Sequence, residues 1–266
     1  MTHLRSALAA LLLLAPLLGA TAATAAPPRT DYDVLGDSFG SGYGVPPYSP
    51  DAPACGRSQS AYGVLVDGRA RLRLDDFVAC AGATTTSLVA GGQLAALDGD
   101  TDLVLLSIGG NDIGWSEAVT ACLGGTDEQC AGAVALVRAR IGTVLPGLLY
   151  TLHAQVADAA PHARVIVTGY PRLFSPRYGA YLGASPAEQS VLNGGADQLN
   201  GVLAAAAARH GFDFVDITKR FVNHGVNAPA PRLLGAFDPG RFHPNLAGYK
   251  AYAAAVTAAI KPGRKS

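Results

Sequence analysis

Apolar residues in this chain gather in two kinds of stretch. Short runs occupy 32–36, 72–79, 102–108, 164–169 and 212–217. The run that follows Asp102, Leu-Val-Leu-Leu-Ser-Ile, is almost unbroken, as expected of a central parallel strand buried on both faces. Longer stretches at 134–159, 187–209 and 246–260 are predicted helices, the first bent at Pro146 and the second stopped by Gly211. A short helix is expected over 60–68. Residues 45–57 and 171–187, rich in Pro and Gly, read as loops, and a loop or short helix carries Cys122 and Cys130. Strands alternating with helices predict an α/β fold, a doubly wound parallel sheet of five strands with helices on both faces.

Composition narrows the setting. The 266 residues include 20 basic and 20 acidic ones with no single-sign run, which argues against nucleic acid or an anionic membrane surface as the main partner. His3 and Arg5 give a mildly basic start, residues 7–18 are apolar apart from Pro16, and Ala23-Thr24-Ala25 fits a cleavage site. Residues 1–25 are therefore read as a secretory signal, leaving 26–266 as one domain with a net charge near −1. The apolar run is too short for a comfortable membrane span, so no stable anchor is expected. Export makes the four cysteines candidates for oxidation. Cys55 with Cys80 and Cys122 with Cys130 are the preferred pairs, each within one local excursion. No CxxC or neighbouring His supports a metal site, and none is expected.

The candidate chemistry starts where the first strand ends, at Gly36-Asp37-Ser38. In open α/β sheets ligands bind at the carboxyl ends of the strands, and glycines there allow a sharp turn and close approach. Alone, these three residues are also an ordinary turn. A nucleophilic serine needs a base, usually histidine. His3 leaves with the signal, His153 lies in a helix, and His162 and His210 precede strands at the opposite edge. His224 and His243 remain, and His243, held between Phe242 and Pro244 before the last helix, is preferred. A developing oxyanion needs donors, and two glycine-bearing strand ends bring Gly82 and Asn111 to the same rim. Asp37 and Asp112 are read as bracing their own turns. Phe174, Tyr178 and Tyr181 are candidates for a substrate wall, with ordinary ring packing as the alternative.

Four blocks in order, Gly36-Asp37-Ser38, Gly82, Gly109-Gly110-Asn111-Asp112 and Phe242-His243-Pro244-Asn245, span nearly all of the chain after residue 25. In these the chain resembles the SGNH, or GDSL, hydrolases. Ser41-Gly42-Tyr43-Gly44 and Cys80-Ala81-Gly82-Ala83-Thr84-Thr85 are similar to the secreted actinobacterial lipase and esterase branch. The resemblance implies a three-layer α/β/α sandwich with a five-stranded, flavodoxin-like parallel sheet. It implies Ser38 as nucleophile, His243 as general base, and Ser38, Gly82 and Asn111 as the oxyanion hole.

One position departs from the family pattern. The Asp that commonly stands three residues before the histidine is here Gly240. Asp238, through Pro239-Gly240, or the backbone carbonyl of Arg241 is left to orient the imidazole. The carbonyl, and hence a Ser-His dyad, is preferred. The expected function is a secreted, monomeric, cofactor-free ester hydrolase acting on acyl lipids or simple esters. A carbohydrate O-acetyl esterase and a non-catalytic binding protein are the alternatives.

Overall fold

Strands β1 (Thr30–Gly36), β2 (Leu72–Phe77), β3 (Leu103–Ser107), β4 (Arg164–Thr168) and β5 (Asp213–Val215) form one parallel sheet in the order β2-β1-β3-β4-β5. The computed structural model describes residues 29–260, so the expected signal segment lies outside the described residues. Every residue of β3 is buried, which accounts for its apolar run. Among the described residues eight α-helices accompany the strands: α1 (Ser38–Ser41), α2 (Tyr62–Leu65), α3 (Thr85–Ala90), α4 (Trp115–Gly124), α5 (Asp127–Thr143), α6 (Leu145–Ala159), α7 (Pro186–Arg209) and α8 (Leu246–Ile260). Helices α2 and α8 pack together on one side, with Tyr62 and Tyr252 stacked at 4.1 Å. Helices α3, α5, α6 and α7 form the other layer, completing the three-layer sandwich. No single helix among the described residues is long and apolar enough to cross a membrane.

The strand order reverses beside β1. The chain goes outward to β2, then returns to β3 on the other side of β1. The crevice at the carboxyl ends of β1 and β3 is the topological switch point, where ligands bind in open α/β sheets. Ser38 follows β1, Gly82 follows β2 and Asn111 follows β3, so the order alone brings three separated turns to one rim.

Sequence reading and structure part company at the helices between β3 and β4. The helix expected over 134–159 with a bend at Pro146 does bend there, by 44°, but as two helices, α5 and α6, separated at Val144. Pro146 sits in the first turn of α6, where its missing N–H has no partner to lose. Helix α5 starts earlier than expected because Thr126 and Gln129 form a capping box, each side chain satisfying the other's backbone N–H. The Cys122–Cys130 disulfide therefore staples α4 to α5, and Cys55–Cys80 ties the 45–57 loop to the end of β2. Both pairs are those expected. The helix predicted over 60–68 contracts to α2, four residues long.

Candidate active site

The end of β1 is held by close backbone contact. A Cβ on Gly36, at φ +136°, would lie 2.2 Å from the Ser107 carbonyl oxygen, so the two strand ends meet only because residue 36 has no side chain. The Asp37 N–H donates to that carbonyl at 2.9 Å. Asp37 then caps α1 by accepting from the Phe39 N–H at 2.9 Å, and Ser38 is the first helical residue. Among the described residues the Ser38 N–H has no acceptor, as expected for the first turn of a helix.

His243 reaches this turn from the loop before α8. Its Nε2 lies 2.7 Å from Ser38 Oγ. On the other side of the ring, Nδ1 is 3.0 Å from the Arg241 carbonyl and 3.1 Å from that of Gly240. Carbonyls only accept, so Nδ1 carries the proton and Nε2 offers its lone pair to the Ser38 hydroxyl. The ring sits between Phe39 and Tyr43, with centroids 5.0 and 5.1 Å away. Burial pushes the imidazole below its ordinary pKa, and the two carbonyls oppose that shift by stabilising the charged ring. Phe242 is held at φ +65°, a left-handed conformation costly for a bulky residue, and hydrogen bonds to Leu234 on both sides of it keep it there.

Asp238 does not touch the histidine. Its carboxylate turns back to accept the Gly235 N–H at 2.7 Å, and the side chain is exposed. Of the two candidates for orienting the imidazole, the Arg241 carbonyl is the one in contact, joined by that of Gly240, which sequence reasoning had not considered.

Gly82 and Asn111 line the same cleft as Ser38 and His243. The Gly82 N–H has no acceptor among the described residues. Asn111 donates one amide N–H to the Ala83 carbonyl at 2.8 Å, which fixes the amide and leaves its second N–H available. Asp112, expected to brace its own turn, instead accepts from both the N–H and the hydroxyl of Thr85 and so ties the Asn111 turn to the start of α3. His224 is outside the cleft, its Nδ1 2.7 Å from the Ala230 carbonyl.

The cleft encloses about 1240 Å³. Its apolar wall comes from Trp115, Val119 and Leu123 of α4, with Leu173 and Leu199 opposite. The aromatic wall expected from 171–187 does not form. Phe174 is buried in the core, Tyr178 lies against Arg177, and the Tyr181 hydroxyl accepts the Ala236 N–H at 2.9 Å. The α4 wall carries no sequence signal beyond apolar spacing, in the segment expected to be a loop or short helix.

A serine paired with an imidazole at the switch point of a flavodoxin-like sheet defines the class, an α/β/α hydrolase. Residues 34–251 match the model of the GDSL-like Lipase/Acylhydrolase family. A lipase from Streptomyces rimosus is 37% identical over 251 residues, covering 92% of this chain and 93% of the relative. The crystal structure of the extracellular lipase from that organism superposes with a TM-score of 0.82 at 34% identity, over 87% of this chain and 100% of the other. That of phospholipase A1 from Streptomyces albidoflavus gives 0.82 at 33% identity, over 87% and 99%. The chain belongs to the GDSL-like lipase/acylhydrolase family, and it is a carboxylic ester hydrolase.

Proposed function

We propose that the protein is an exported, monomeric lipase or esterase that cleaves acyl lipids or simple esters through an acyl-enzyme on Ser38. The observation that carries this reading is Ser38 Oγ at 2.7 Å from a ring nitrogen whose lone pair faces it. Ser38 Oγ attacks the ester carbonyl carbon while its proton passes to His243 Nε2. The bond to the alcohol oxygen breaks, and the imidazolium returns its proton to that oxygen. Water, deprotonated by the same nitrogen, then attacks the acyl-enzyme, releasing the acid and restoring the Ser38 hydroxyl. The N–H groups of Ser38 and Gly82 and the second N–H of the Asn111 amide receive the negative oxygen. One such donor is worth about 3 kcal/mol of barrier. The two carbonyls on Nδ1 fix the tautomer but stabilise the imidazolium less than a carboxylate does.

The apolar α4 wall suits an acyl chain rather than an acetyl group on a sugar. A relative named phospholipase A1 puts phospholipids among the substrates to test. Export is supported by the N-terminal segment, by the two disulfides and by the extracellular lipase among the relatives. The test is hydrolysis of p-nitrophenyl esters from acetyl to palmitoyl, wild type beside Ser38→Ala. Activity that peaks at medium or long chains and vanishes in the variant is expected. Turnover that survives Ser38→Ala would overturn the mechanism, and a preference for acetyl alone would overturn the lipid reading.

A further inference from the structure

The turn after β4 carries none of the reacting groups, yet its first side chain joins the turns that carry two of them, Ser38 and Asn111. Tyr170 is buried, 7% exposed, at the end of the sheet beside β3. Its hydroxyl donates to Asp37 Oδ2, next to the nucleophile, and accepts the Gly110 N–H at 3.1 Å, next to Asn111. Its ring packs edge-on against Phe39 at 5.0 Å, and Phe39 in turn packs on the His243 ring. Gly110 is pressed onto the phenol: a Cβ there would lie 3.2 Å from two ring carbons. Asn200 of α7 clamps the Tyr170 backbone from both sides, accepting its N–H and donating to its carbonyl, each at 2.8 Å.

We propose that Tyr170 is a positioning residue, its hydroxyl setting the distance between the Ser38 turn and the Asn111 turn and so the shape of the oxyanion site. The inference rests on the Ser38 mechanism proposed above. The strands do not need the phenol to stay together, because β1 and β3 are already joined through the Asp37 N–H and the Ser107 carbonyl. What the phenol adds is a link from the nucleophile turn to the loop after β3, whose other side-chain bonds, Asn111 to the Ala83 carbonyl and Asp112 to Thr85, run toward α3 and not toward Ser38. A group that stabilises charge present only at the transition state raises kcat and leaves substrate affinity unchanged.

Tyr170→Phe keeps the ring and removes both hydrogen bonds. On p-nitrophenyl butyrate we expect kcat to fall about tenfold or more, within the range for a weakened oxyanion donor, with KM changed less than about twofold. Affinity for an alkyl boronic acid, which forms a tetrahedral anion on the serine, should fall in parallel with kcat. Val156→Ala, in the α6 core far from the cleft, serves as a control that lowers the unfolding temperature without moving kcat or boronate affinity. Asp37→Asn, which retains a good helix cap, weakens the same link by replacing the charged acceptor with a neutral amide NH2 that can only donate to the phenol, and is expected to show the same split to a smaller degree. Wild-type kcat and boronate affinity in both variants would overturn the inference. A loss of kcat with boronate affinity unchanged would do so too. Failure of the underlying mechanism is read separately, as turnover surviving in Ser38→Ala.

Discussion

Restoring the acid that the family usually carries, by Gly240→Asp, is expected to damage the enzyme rather than improve it. Gly240 stands at φ +82°, where an L side chain is strained by about 1–2 kcal/mol. A Cβ there would lie 2.4 Å from Gly44 Cα and 3.0 Å from Gly44 N, both backbone atoms, so the two loops must separate. Overpacking of this kind costs about 1–3 kcal/mol. The combined penalty of about 2–5 kcal/mol lowers the unfolding temperature by roughly 5–15 °C for a chain of this size. The shift also moves the Gly240 carbonyl, one of the two acceptors on His243 Nδ1, and Tyr43, which borders the same ring. Thermal unfolding and kcat/KM on p-nitrophenyl butyrate should be compared for wild type, Gly240→Ala and Gly240→Asp. We expect both variants to lose stability and at least about tenfold in kcat/KM, with no advantage for the carboxylate. An Asp variant that keeps the wild-type unfolding temperature and exceeds wild-type kcat/KM would refute the reasoning.

Three further outcomes follow from the same structure. Asp238→Asn is expected to change kcat less than about threefold, since its oxygen only holds the Gly235 turn, while His243→Ala abolishes turnover; equal losses in the two would refute the carbonyl assignment. Because burial lowers the pKa of His243, the base stays neutral below the ordinary histidine value, and the acid limb of kcat/KM should fall below pH 6.5; a limb above that value contradicts it. His153, fully buried on α6 with neither ring nitrogen hydrogen-bonded, is pushed down from the ordinary 6.5 to about 4 by desolvation. Its contribution to stability is complete above pH 6.5 and lost as pH falls toward 4, up to roughly 3 kcal/mol. Asp37, raised to about 6 by burial, acts in the opposite sense over part of that window, so the measurement is the difference between wild type and His153→Leu in urea unfolding from pH 7 to 4. Parallel curves would show that His153 is not the sensor.

What the sequence revealed depended on how far each signal reached along the chain. Strand β3 was legible because burial on both faces leaves an apolar run, and Gly36, Gly82 and Gly109 mark the strand-to-turn junctions of the site. The two disulfides were legible from local cysteine spacing, and the pairing of Ser38 with His243, 205 residues apart, from the strand ends that topology brings to one rim and from the family resemblance. The start of α5 is local too, in the Thr126 and Gln129 capping box, but apolar spacing alone begins the helix only at Val134. Tyr170 was not legible as a hub, because its bond to Asp37 joins residues 133 apart and no periodicity records such a pairing. The α4 wall was hidden differently. A ten-residue helix begun by Gly114 in a left-handed conformation lacks the side-chain cap that announces α3, α5 and α7.

The loop before α8 explains how the site dispenses with a carboxylate on the imidazole. Asp238 Oδ2 accepts the Gly235 N–H, the Asp238 carbonyl accepts the Arg241 N–H, and the Gly240 carbonyl accepts the His243 N–H. Leu234 exchanges backbone hydrogen bonds with Phe242 and His243 across the loop. These bonds fold residues 234–243 into a frame in which two carbonyls converge on Nδ1, with Phe242 in a left-handed conformation as the local cost. The acid nearest the histidine thus shapes the loop that presents the acceptors and makes no contact with the ring. Neutral acceptors fix orientation through geometry, whereas a carboxylate would add charge. Under the proposed mechanism the imidazolium is then less stabilised, and more of the barrier reduction rests on the oxyanion donors. That is why the register between the Ser38 and Asn111 turns, and the one phenol that joins them, carries weight in the proposed mechanism.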